Sequence, residues 1–448
     1  MVPHLVTANP GPILDLERRI LDANTEIEHW FRSQWQQHAP PFYCSVDLRN
    51  AGFKLSPVDT NLFPGGFNNL GAEMLPLAVH AAQSAIEHVC SDARRLLLIP
   101  ERHTRNLFYL RNVAQLASIL AQAGLEVRIG TLAEDIHEPT TLDLPEIDGW
   151  APQITLEPLT RNGDRIGLPG FDPCVVLLNN DLSAGTPPIL QGLDPAQDLI
   201  PPLHAGWTVR RKSQHFAAFD RVADMFGGLL GIDPWLVNPY FSHVDELDFN
   251  ARTGEDRLAN EVDALLVKIR TKYREHGVTD TPFVIVKADA GTYGMGIMSV
   301  KSADEVRDLN RKTRNKMAVV KDGLQVSQVL IQEGVHTIER VEKAVAEPVV
   351  YMIDRYVIGG FYRMHAERGN DENLNAPGMQ FVPLPASSFP FDGNCSLPDS
   401  RAEAGTKAPN RFYMYGVVAR LALLAASLEL ETTDPHRSAV ASPAAAVL

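Results

Sequence analysis

Residues 283–300, FVIVKADAGTYGMGIMSV, constrain the fold more than any other part of the chain. The first four residues are apolar and predict a buried strand that ends at Lys287, and Ile297–Val300 predicts a second strand. Between them lies a loop with three glycines, Gly291, Gly294 and Gly296. Because glycines let backbone N–H groups approach phosphate oxygens, this outline indicates a flap folded over a polyphosphate.

Two better-known phosphate-binding patterns do not fit this segment. A Walker A loop ends in Gly-Lys-Ser/Thr before a helix, and this loop does not. A dinucleotide fingerprint reads Gly-x-Gly-x-x-Gly before a helix, whereas these glycines are spaced Gly-x-x-Gly-x-Gly before a strand. On local pattern alone, a glycine-rich hairpin with a surface lysine is the alternative.

Composition and charge exclude several classes of protein. The chain has 448 residues, of which 45% are hydrophobic and 21% charged, and this length predicts two or three domains. A net charge of −14 argues against a nucleic-acid or anionic-membrane surface. The four cysteines show no Cys-x-x-Cys, the N-terminus lacks a signal-peptide pattern, and no apolar run approaches ~18 residues. We therefore expect a cytoplasmic protein without a nucleic-acid or membrane partner.

Residues 43–70 carry many polar side chains among prolines and glycines. We find no helical or strand period in them and predict a loop-rich segment. Both charge signs lie beside amides, which suits a zwitterion such as an amino acid, although a solvated surface loop is the alternative. The candidate substrate-binding residues are Asp47, Arg49, Lys54, Asp59, Asn61 and Asn68.

A regular pattern of helices and strands follows from residue 71. Residues 95–99 and 125–129 predict strands on either side of a helix at 106–123, which is a βαβ unit, and residues 174–178 predict another strand. Ligands bind at the carboxyl ends of strands in open α/β sheets, so the loop at 100–106 adds Arg105 as a candidate. A proline-rich stretch then ends this predicted domain near residue 204.

The second half begins with a basic cluster, Arg210-Arg211-Lys212, just before a predicted helix. Such a cluster could bind anions, or it could be solvated surface charge. Further on, we predict one helix at 303–316, a strand at Val329–Glu333, and strands at 356–358 and 361–365 joined by a turn at Gly359-Gly360.

In this order the motifs resemble the ATP-grasp fold: a lysine before a helix (Lys212), a strand lysine with a glycine flap (Lys287), a strand that ends in Glu333, and a strand arginine (Arg363). The resemblance implies two α+β subdomains that hold ATP between them. The predicted fold class is therefore α/β and α+β. An N-terminal open α/β, pre-ATP-grasp-like domain (residues 1–204) precedes an ATP-grasp-like two-subdomain nucleotide cleft (205–431, with the flap at 283–300), and 432–448 form a disordered tail.

Two long stretches carry a closer resemblance, VDLRNAGFKLSPVDTNLFPGGFNNL and VIVKADAGTYGMGIMSV. They are similar to the ATP-grasp-like glutamate–cysteine ligases of proteobacteria, and the similarity extends to about residue 431. It implies that ATP and Mg²⁺ support the joining of the L-glutamate side-chain carboxylate, through an acyl phosphate, to the amine of L-cysteine. Another carboxylate–amine ligase of this fold and a non-catalytic nucleotide-binding regulator are the alternatives, and a homo-oligomer is left open.

The resemblance also assigns roles to residues. Arg363 and Lys287 would be catalytic: Arg363 would face the transferring phosphoryl group, and Lys287, with Lys212, would hold the α- and β-phosphates. The nucleotide would be bound by Lys212, Lys287, Gly291, Thr292, Tyr293, Gly294, Gly296, Gln332, Glu333 and Val335. Related ligases hold magnesium with an aspartate and a Glu-x-Asn pair near the C-terminus, but here the last helix ends in Glu429-Leu430-Glu431 without that pair. The predicted metal ligands are therefore Asp354, Glu372, Asn373 and Asn375.

Overall fold

The structure, a computed structural model, describes residues 11–102, 105–147, 149–291, 296–319, 325–384 and 411–436. The α-helices are α1 (Pro12–Asp22), α2 (Asn24–Trp35), α3 (Leu75–Val89), α4 (Leu107–Gln122), α5 (Lys212–Leu230), α6 (Glu255–Glu275), α7 (Ala303–Arg307), α8 (Arg311–Ala318) and α9 (Arg411–Thr433). The strands are β1 (Tyr43–Asn50), β2 (Leu55–Asn61), β3 (Arg95–Pro100), β4 (Glu126–Thr131), β5 (Thr140–Asp143), β6 (Gln153–Pro158), β7 (Thr160–Asn162), β8 (Arg165–Gly167), β9 (Val175–Asn179), β10 (Asp198–Ile200), β11 (Phe241–Val244), β12 (Val284–Ala288), β13 (Ile297–Val300), β14 (Val329–Glu333), β15 (Arg340–Val341), β16 (Ala344–Ile353), β17 (Tyr356–His365) and β18 (Gln380–Pro383).

A mainly parallel sheet, hereafter the parallel sheet, has the strand order β10-β9-β3-β4-β6-β5. The pairs β3–β4 and β3–β9 are parallel, as the predicted βαβ unit requires. Strand β3 is apolar without alternation because both of its faces are buried. Leu96 and Leu98 pack in the core with α3 and α4, while Leu97 and Ile99 pack in the core with α5 and α9.

A second, antiparallel sheet, hereafter the central sheet, has the order β18-β17-β16-β1-β2. The prediction of a loop-rich segment at 43–70 is therefore wrong for its first half, which forms the hairpin β1–β2. The strand period is present, because Cys44, Val46 and Leu48 are all fully buried on one face. Since β1 pairs with β16, this sheet takes strands from both sides of residue 204, where the sequence predicted a domain boundary.

The third sheet, hereafter the flap sheet, has the order β11-β14-β12-β13 and contains both strands of the predicted flap. Val284 and Val286 of β12 pack with Ile331 of β14 and with Leu258 and Leu266 of α6 in a separate core. The flap loop is described at Gly291 and Gly296, whereas residues 292–295 lie outside the described part of the chain.

Two local predictions in the second half are wrong. The helix predicted at 303–316 is divided into α7 and α8, because Asn310 begins a new helix by accepting the backbone N–H of Thr313 at 2.9 Å. The turn predicted at Gly359-Gly360 is instead part of the continuous strand β17. Gly359 has a φ of 149°, and a Cβ there would lie 2.4 Å from the sulfur of Met74, so close packing explains this glycine.

The last helix, α9, packs against α5 in the largest core. Contrary to the sequence expectation, its Phe412–Thr433 portion is long and apolar enough to cross a membrane by composition, but 78% of its most apolar stretch is buried inside the protein. Such burial is typical of a core helix. Of the predicted tail at 432–448, residues 437–448 lie outside the described residues.

Candidate active site

A cavity of about 510 Å³ lies where the central sheet, the flap sheet and the carboxyl ends of β3 and β9 meet. Thirteen of the residues predicted from sequence line it: Asp47, Arg49, Asp59, Asn61, Lys212, Lys287, Gly291, Gln332, Glu333, Val335, Arg363, Asn373 and Asn375. The predicted residues that do not line it are Lys54, Asn68, Arg105, Gly296, Asp354 and Glu372. Thr292, Tyr293 and Gly294 lie outside the described residues.

The central sheet forms one side of the cavity, and its strand register places charged side chains next to one another. Asp47 lies opposite Asp59, and Glu347 lies opposite Arg363. Because side chains alternate along a strand, Asp47 and Arg49 of β1 point to the same face. Arg363 Nη1 donates to Asp47 Oδ2 at 2.6 Å and to Glu347 Oε1 at 2.9 Å. Arg49 Nε donates to Glu347 Oε2 at 2.8 Å, which completes a connected cluster of two arginines and two carboxylates.

Glu347 is the main residue that sequence reasoning missed. It lies in a strand buried along its whole length and is itself only 3% exposed. A single acidic residue in the apolar run AVAEPVVYMI was the available signal. Burial alone would raise the pKa of Glu347, but Arg49 and Arg363 hold it below its ordinary value. Asp47 differs, because burial raises its pKa despite Arg363.

Two buried lysines reach the cavity from the other side. Lys287 Nζ donates to the carbonyl of Val58 at 2.8 Å, and Lys212 Nζ donates to the carbonyl of Gly291 at 2.6 Å. Burial lowers the pKa of Lys212 to about 8 and also lowers the pKa of Lys287, with the negative charge of Asp59 opposing both shifts. Burial alone would raise the pKa of Asp59, but the two lysines and Arg210 hold it below its usual value.

The basic cluster at the start of α5 separates into three different roles. Arg210 is buried and forms a two-pronged ion pair with Glu429 of α9, at 2.7 and 2.9 Å. Arg211 donates to the side-chain oxygen of Gln328 at 3.1 Å and to nearby carbonyls. Only Lys212 lines the cavity. The cluster is therefore neither a joint anion site nor a solvated surface patch.

Lys54, a predicted substrate ligand, lies in the protein core. Its Nζ lies 2.8 Å from Glu333 Oε2, and both side chains are 1% exposed. The Glu333 carboxylate also accepts the indole N–H of Trp235 at 3.1 Å and the backbone N–H of Tyr240 at 2.9 Å. This network fixes the β1–β2 turn to the end of β14. The Glu333 carboxylate therefore has protein partners at the edge of the cavity before any ligand binds.

The segment between Pro64 and Phe67 borders the cavity and is held by two buried asparagines. Asn112 of α4 accepts the backbone N–H groups of Gly66 and Phe67 at 2.8 and 2.9 Å. Asn179, at the end of β9, donates to the carbonyl of Pro64 at 2.9 Å. Both asparagines line the cavity. In the sequence, Asn179 directly follows the strand predicted at 174–178, but nothing in a helix pattern distinguished Asn112.

The predicted metal ligands do not come together. Asp354 occupies the β16–β17 turn, seven residues and about 23 Å along the strand from Glu347 at ~3.3 Å per residue. It contacts Ser84 and His88 there. Glu372 lies outside the cavity, where Arg368 contacts its carboxylate at 2.9 Å. Asn373 and Asn375 do line the cavity.

A different set of oxygen ligands fits Mg²⁺. Asp47, Asp59 and Glu347 are carboxylates on neighbouring strands of the central sheet, and Asn61 adds an amide oxygen. Hard oxygen ligands of this kind are those that Mg²⁺ prefers. Asp233, Glu275 and His276 also lie close together, but Lys272 Nζ already lies 2.8 Å from Asp233 and 2.9 Å from Glu275.

Buried lysines opposite an arginine–carboxylate cluster, beside Gly291, form an arrangement that is typical of enzyme sites for phosphate-bearing ligands. The Glutamate-cysteine ligase family model matches residues 17–430. The chain belongs to the glutamate–cysteine ligase family, and its reaction is the formation of γ-glutamylcysteine.

A solved structure of high sequence identity agrees with this assignment. A crystal structure from Methylobacillus flagellatus KT, provisionally named a gamma-glutamylcysteine synthetase, is 65% identical, with a TM-score of 0.85 over 97% of this chain and 100% of that chain. A glutathione synthetase-like effector (GSS30) from Globodera pallida, in its apo form, shares 10% identity over 79% of this chain and 77% of that one. Its TM-score of 0.36 is too low to carry an argument. No match was found among curated proteins.

Proposed function

We propose that the chain forms γ-glutamylcysteine in the cavity between the three sheets, using ATP to activate the glutamate side chain. The γ-phosphoryl group of ATP passes to the carboxylate, which gives an acyl phosphate and ADP. The amine of cysteine then attacks the acyl carbon and loses a proton, and phosphate leaves. The observation that carries this proposal is the convergence of Lys212, Lys287 and Arg363 on one cavity in a chain of this family.

The flap side of the cavity suits the nucleotide. Lys212 and Lys287 would hold phosphate oxygens beside the backbone of Gly291, whose carbonyl Lys212 contacts at 2.6 Å. Ile285 and Ile297 line the same side and provide apolar surface for a base. The Nε2 of Gln332 is buried without a hydrogen-bond partner among the described residues, so it is a donor available to the ligand. The flap sheet and the central sheet would then be the two halves of an ATP-grasp-like cleft.

The central sheet suits the reacting carboxylate. Arg363 lies at 2.6 Å from Asp47 and at 2.9 Å from Glu347, so its position is fixed before substrate binds. Its buried Nε has no partner within the described part of the chain and can donate to the transferring group. Fixed positive charge of this kind stabilises the negative charge that develops during phosphoryl and acyl transfer.

Mg²⁺ would be held by Asp59, Asn61 and Glu347, with Asp47 beside them. When bound, it would neutralise phosphate charge and orient the phosphates for transfer. The strand order supports this proposal, because Glu347, Asp47 and Asp59 lie on β16, β1 and β2, between Arg363 on β17 and the edge of β2 that Lys287 contacts. Free thiols at Cys44, Cys90 and Cys174 are consistent with a reducing cytoplasm, which we also propose as the location.

The test is Lys287→Ala, assayed for ADP release and for γ-glutamylcysteine with glutamate, cysteine and ATP. Loss of the Lys287 charge should lower the rate of γ-glutamylcysteine formation by about 10²–10³, by analogy with the removal of one oxyanion-hole donor. Lys301→Ala is the matched control, because Lys301 follows the flap strand β13 but is 49% exposed and pairs with Asp371. A rate for Lys287→Ala close to that of the control would contradict the assignment.

The same assay separates the alternative functions. Another carboxylate–amine ligase would release ADP faster with a different amine than with cysteine. A nucleotide-binding regulator would bind ATP without releasing ADP under any combination of substrates.

A further inference from the structure

We infer that an aromatic wall, formed by Phe108, Phe361, Phe381 and Met379, binds the thiol side chain of the amine substrate and selects it over a hydroxyl. This inference rests on the proposed function, because it concerns one of the two amino acids that the cavity would join. The four residues come from α4, β17, β18 and the residue just before β18, and all of them line the cavity.

The wall is a continuous apolar surface. The rings of Phe108 and Phe381 are stacked with centroids 6.1 Å apart, and the ring of Phe361 meets that of Phe381 edge-on at 5.1 Å. Phe108 is nevertheless 47% exposed and Met379 is 36% exposed. Large apolar side chains left open beside a cavity, rather than closed into a core, indicate contact with a ligand.

The wall lies beside the groups that would carry out the reaction. Phe381 is the cross-strand partner of Arg363, and Phe361 precedes Arg363 by two residues on the same face of β17. Directly opposed residues in an antiparallel pair have Cβ atoms about 5 Å apart. A side chain resting on the wall therefore places its amino acid next to the carboxylate that Arg363 would activate.

Neither of the other ligands needs this surface. The glutamate side chain must present its carboxylate to the charged cluster rather than to the wall. The nucleotide base has apolar surface of its own, at Ile285 and Ile297 of the flap sheet and at Val335 just after β14. The substrate group that remains to be placed on the wall is the CH₂SH side chain of cysteine, which is small, apolar and polarisable.

The chemistry of the wall discriminates between side chains. Sulfur makes favourable contacts with aromatic rings, and Met379 adds a second polarisable surface. A hydroxyl in the same position would give up hydrogen bonds to water and find no polar partner on the wall. We therefore expect the enzyme to accept cysteine and 2-aminobutyrate, whose CH₂CH₃ has a similar size, and to reject serine.

The experiment compares kcat/KM for cysteine, 2-aminobutyrate and serine in the unmodified enzyme, Phe108→Ala and Met379→Ala, with KM for ATP and glutamate measured in each. Phe108→Ala should lower kcat/KM for cysteine by about 2- to 10-fold, the range expected for one sulfur–aromatic contact, and leave kcat/KM for serine nearly unchanged. KM for ATP and for glutamate should not change. Leu107→Ala is the control, because Leu107 is the neighbouring residue of α4, is 43% exposed and does not line the cavity.

Two results would overturn the inference while leaving the proposed function intact. One is an unchanged preference for cysteine over serine in both wall variants. The other is a rise in KM for ATP or glutamate, which would assign the wall to a different ligand. If the unmodified enzyme joins no amine to glutamate, both the proposed function and the inference fail.

Discussion

Replacement of Glu429 by glutamine should destabilise the protein severely, because Glu429 is a buried charge with two buried partners. Its side chain is 1% exposed and accepts from Arg210 and from His215 Nδ1, the latter at 2.9 Å. Burial alone would raise the pKa of Glu429, but Arg210 and His215 lower it from 4.5 to about 2. At 1.36 kcal/mol per unit, this shift corresponds to about 3 kcal/mol of folding free energy at neutral pH.

The sign of the pH dependence follows from the direction of the shift. The pKa of Glu429 in the folded state lies below its value in the unfolded state. The carboxylate therefore contributes its full stabilisation above about pH 4.5 and loses it as the pH falls toward 2. The glutamine variant has no such contribution to lose. The difference in unfolding free energy between the two proteins should consequently shrink on acidification, to roughly half by pH 3.

Urea unfolding followed by tryptophan fluorescence, at pH 7 and pH 3, measures this difference. Glu28→Gln is the matched control. Glu28 lies on α2 and pairs with Arg420 of α9, the helix that also carries Glu429, but the Glu28 side chain is 42% exposed. Its loss should cost less than the loss of Glu429, because the Glu28 carboxylate is partly solvated. The double variant Arg210→Met with Glu429→Leu should be more stable than Glu429→Gln, because it leaves no unpaired buried charge. Equal midpoints for Glu429→Gln and Glu28→Gln at pH 7, or a difference that does not depend on pH, would refute the reasoning.

Two further predictions concern the cavity. Because burial lowers the pKa of Lys212 to about 8, kcat/KM for ATP should fall as the pH rises through 8. In Lys212→Arg this fall should move to higher pH, because a guanidinium stays charged. Identical pH–rate profiles for the two proteins would contradict this prediction. Asp59→Asn should raise the Mg²⁺ concentration needed for the half-maximal rate by about tenfold or more. This is the loss of metal affinity expected when a metal ligand, or a residue that supports one directly, is replaced. If Asp354→Asn raises that concentration and Asp59→Asn does not, the metal lies elsewhere.

Local patterns were enough to predict the strands of the flap and three strands of the parallel sheet, β3, β4 and β9. A strand buried on both faces, such as β3, is a continuous apolar run, and this signal lies within six residues of sequence. The positions of Lys212 and Lys287 were also predictable, because each is fixed by an element whose own sequence defines it. Both lysines line the cavity.

The central sheet could not be predicted in the same way. Strand β1 alternates buried apolar residues with polar ones, such as Asp47 and Arg49, that face the cavity. Those polar residues made the segment resemble a loop, since strand patterns usually place polar residues toward solvent rather than toward a ligand. Strand β1 pairs with β2 on one side, and its partner on the other side is β16, about 300 residues further along the chain.

The role of a charged residue depends on its partner, and the partners here are distant in sequence. Lys54 and Glu333 are separated by 279 residues, and Arg210 and Glu429 by 219. In the sequence, Lys54 and Arg210 are indistinguishable from lysines and arginines that bind ligands. Only the fold shows that each has a buried carboxylate beside it, whereas Lys212 and Lys287 donate to backbone carbonyls at the cavity surface.

The arrangement of charges in the cavity gives a physical reason why ATP and Mg²⁺ should bind together. Arg363 contacts Asp47 and Glu347, and Asp59 lies close enough to Lys212 and Lys287 for their charges to lower its pKa. When the lysines turn toward phosphate oxygens and Arg363 shares its charge with the transferring group through Nε, these carboxylates lose part of their compensating charge in a buried site. An uncompensated buried carboxylate is costly, and a divalent cation between the carboxylates and the phosphates removes that cost. Phosphate binding and metal binding should therefore reinforce each other, with Asp59 as the residue through which the coupling is strongest.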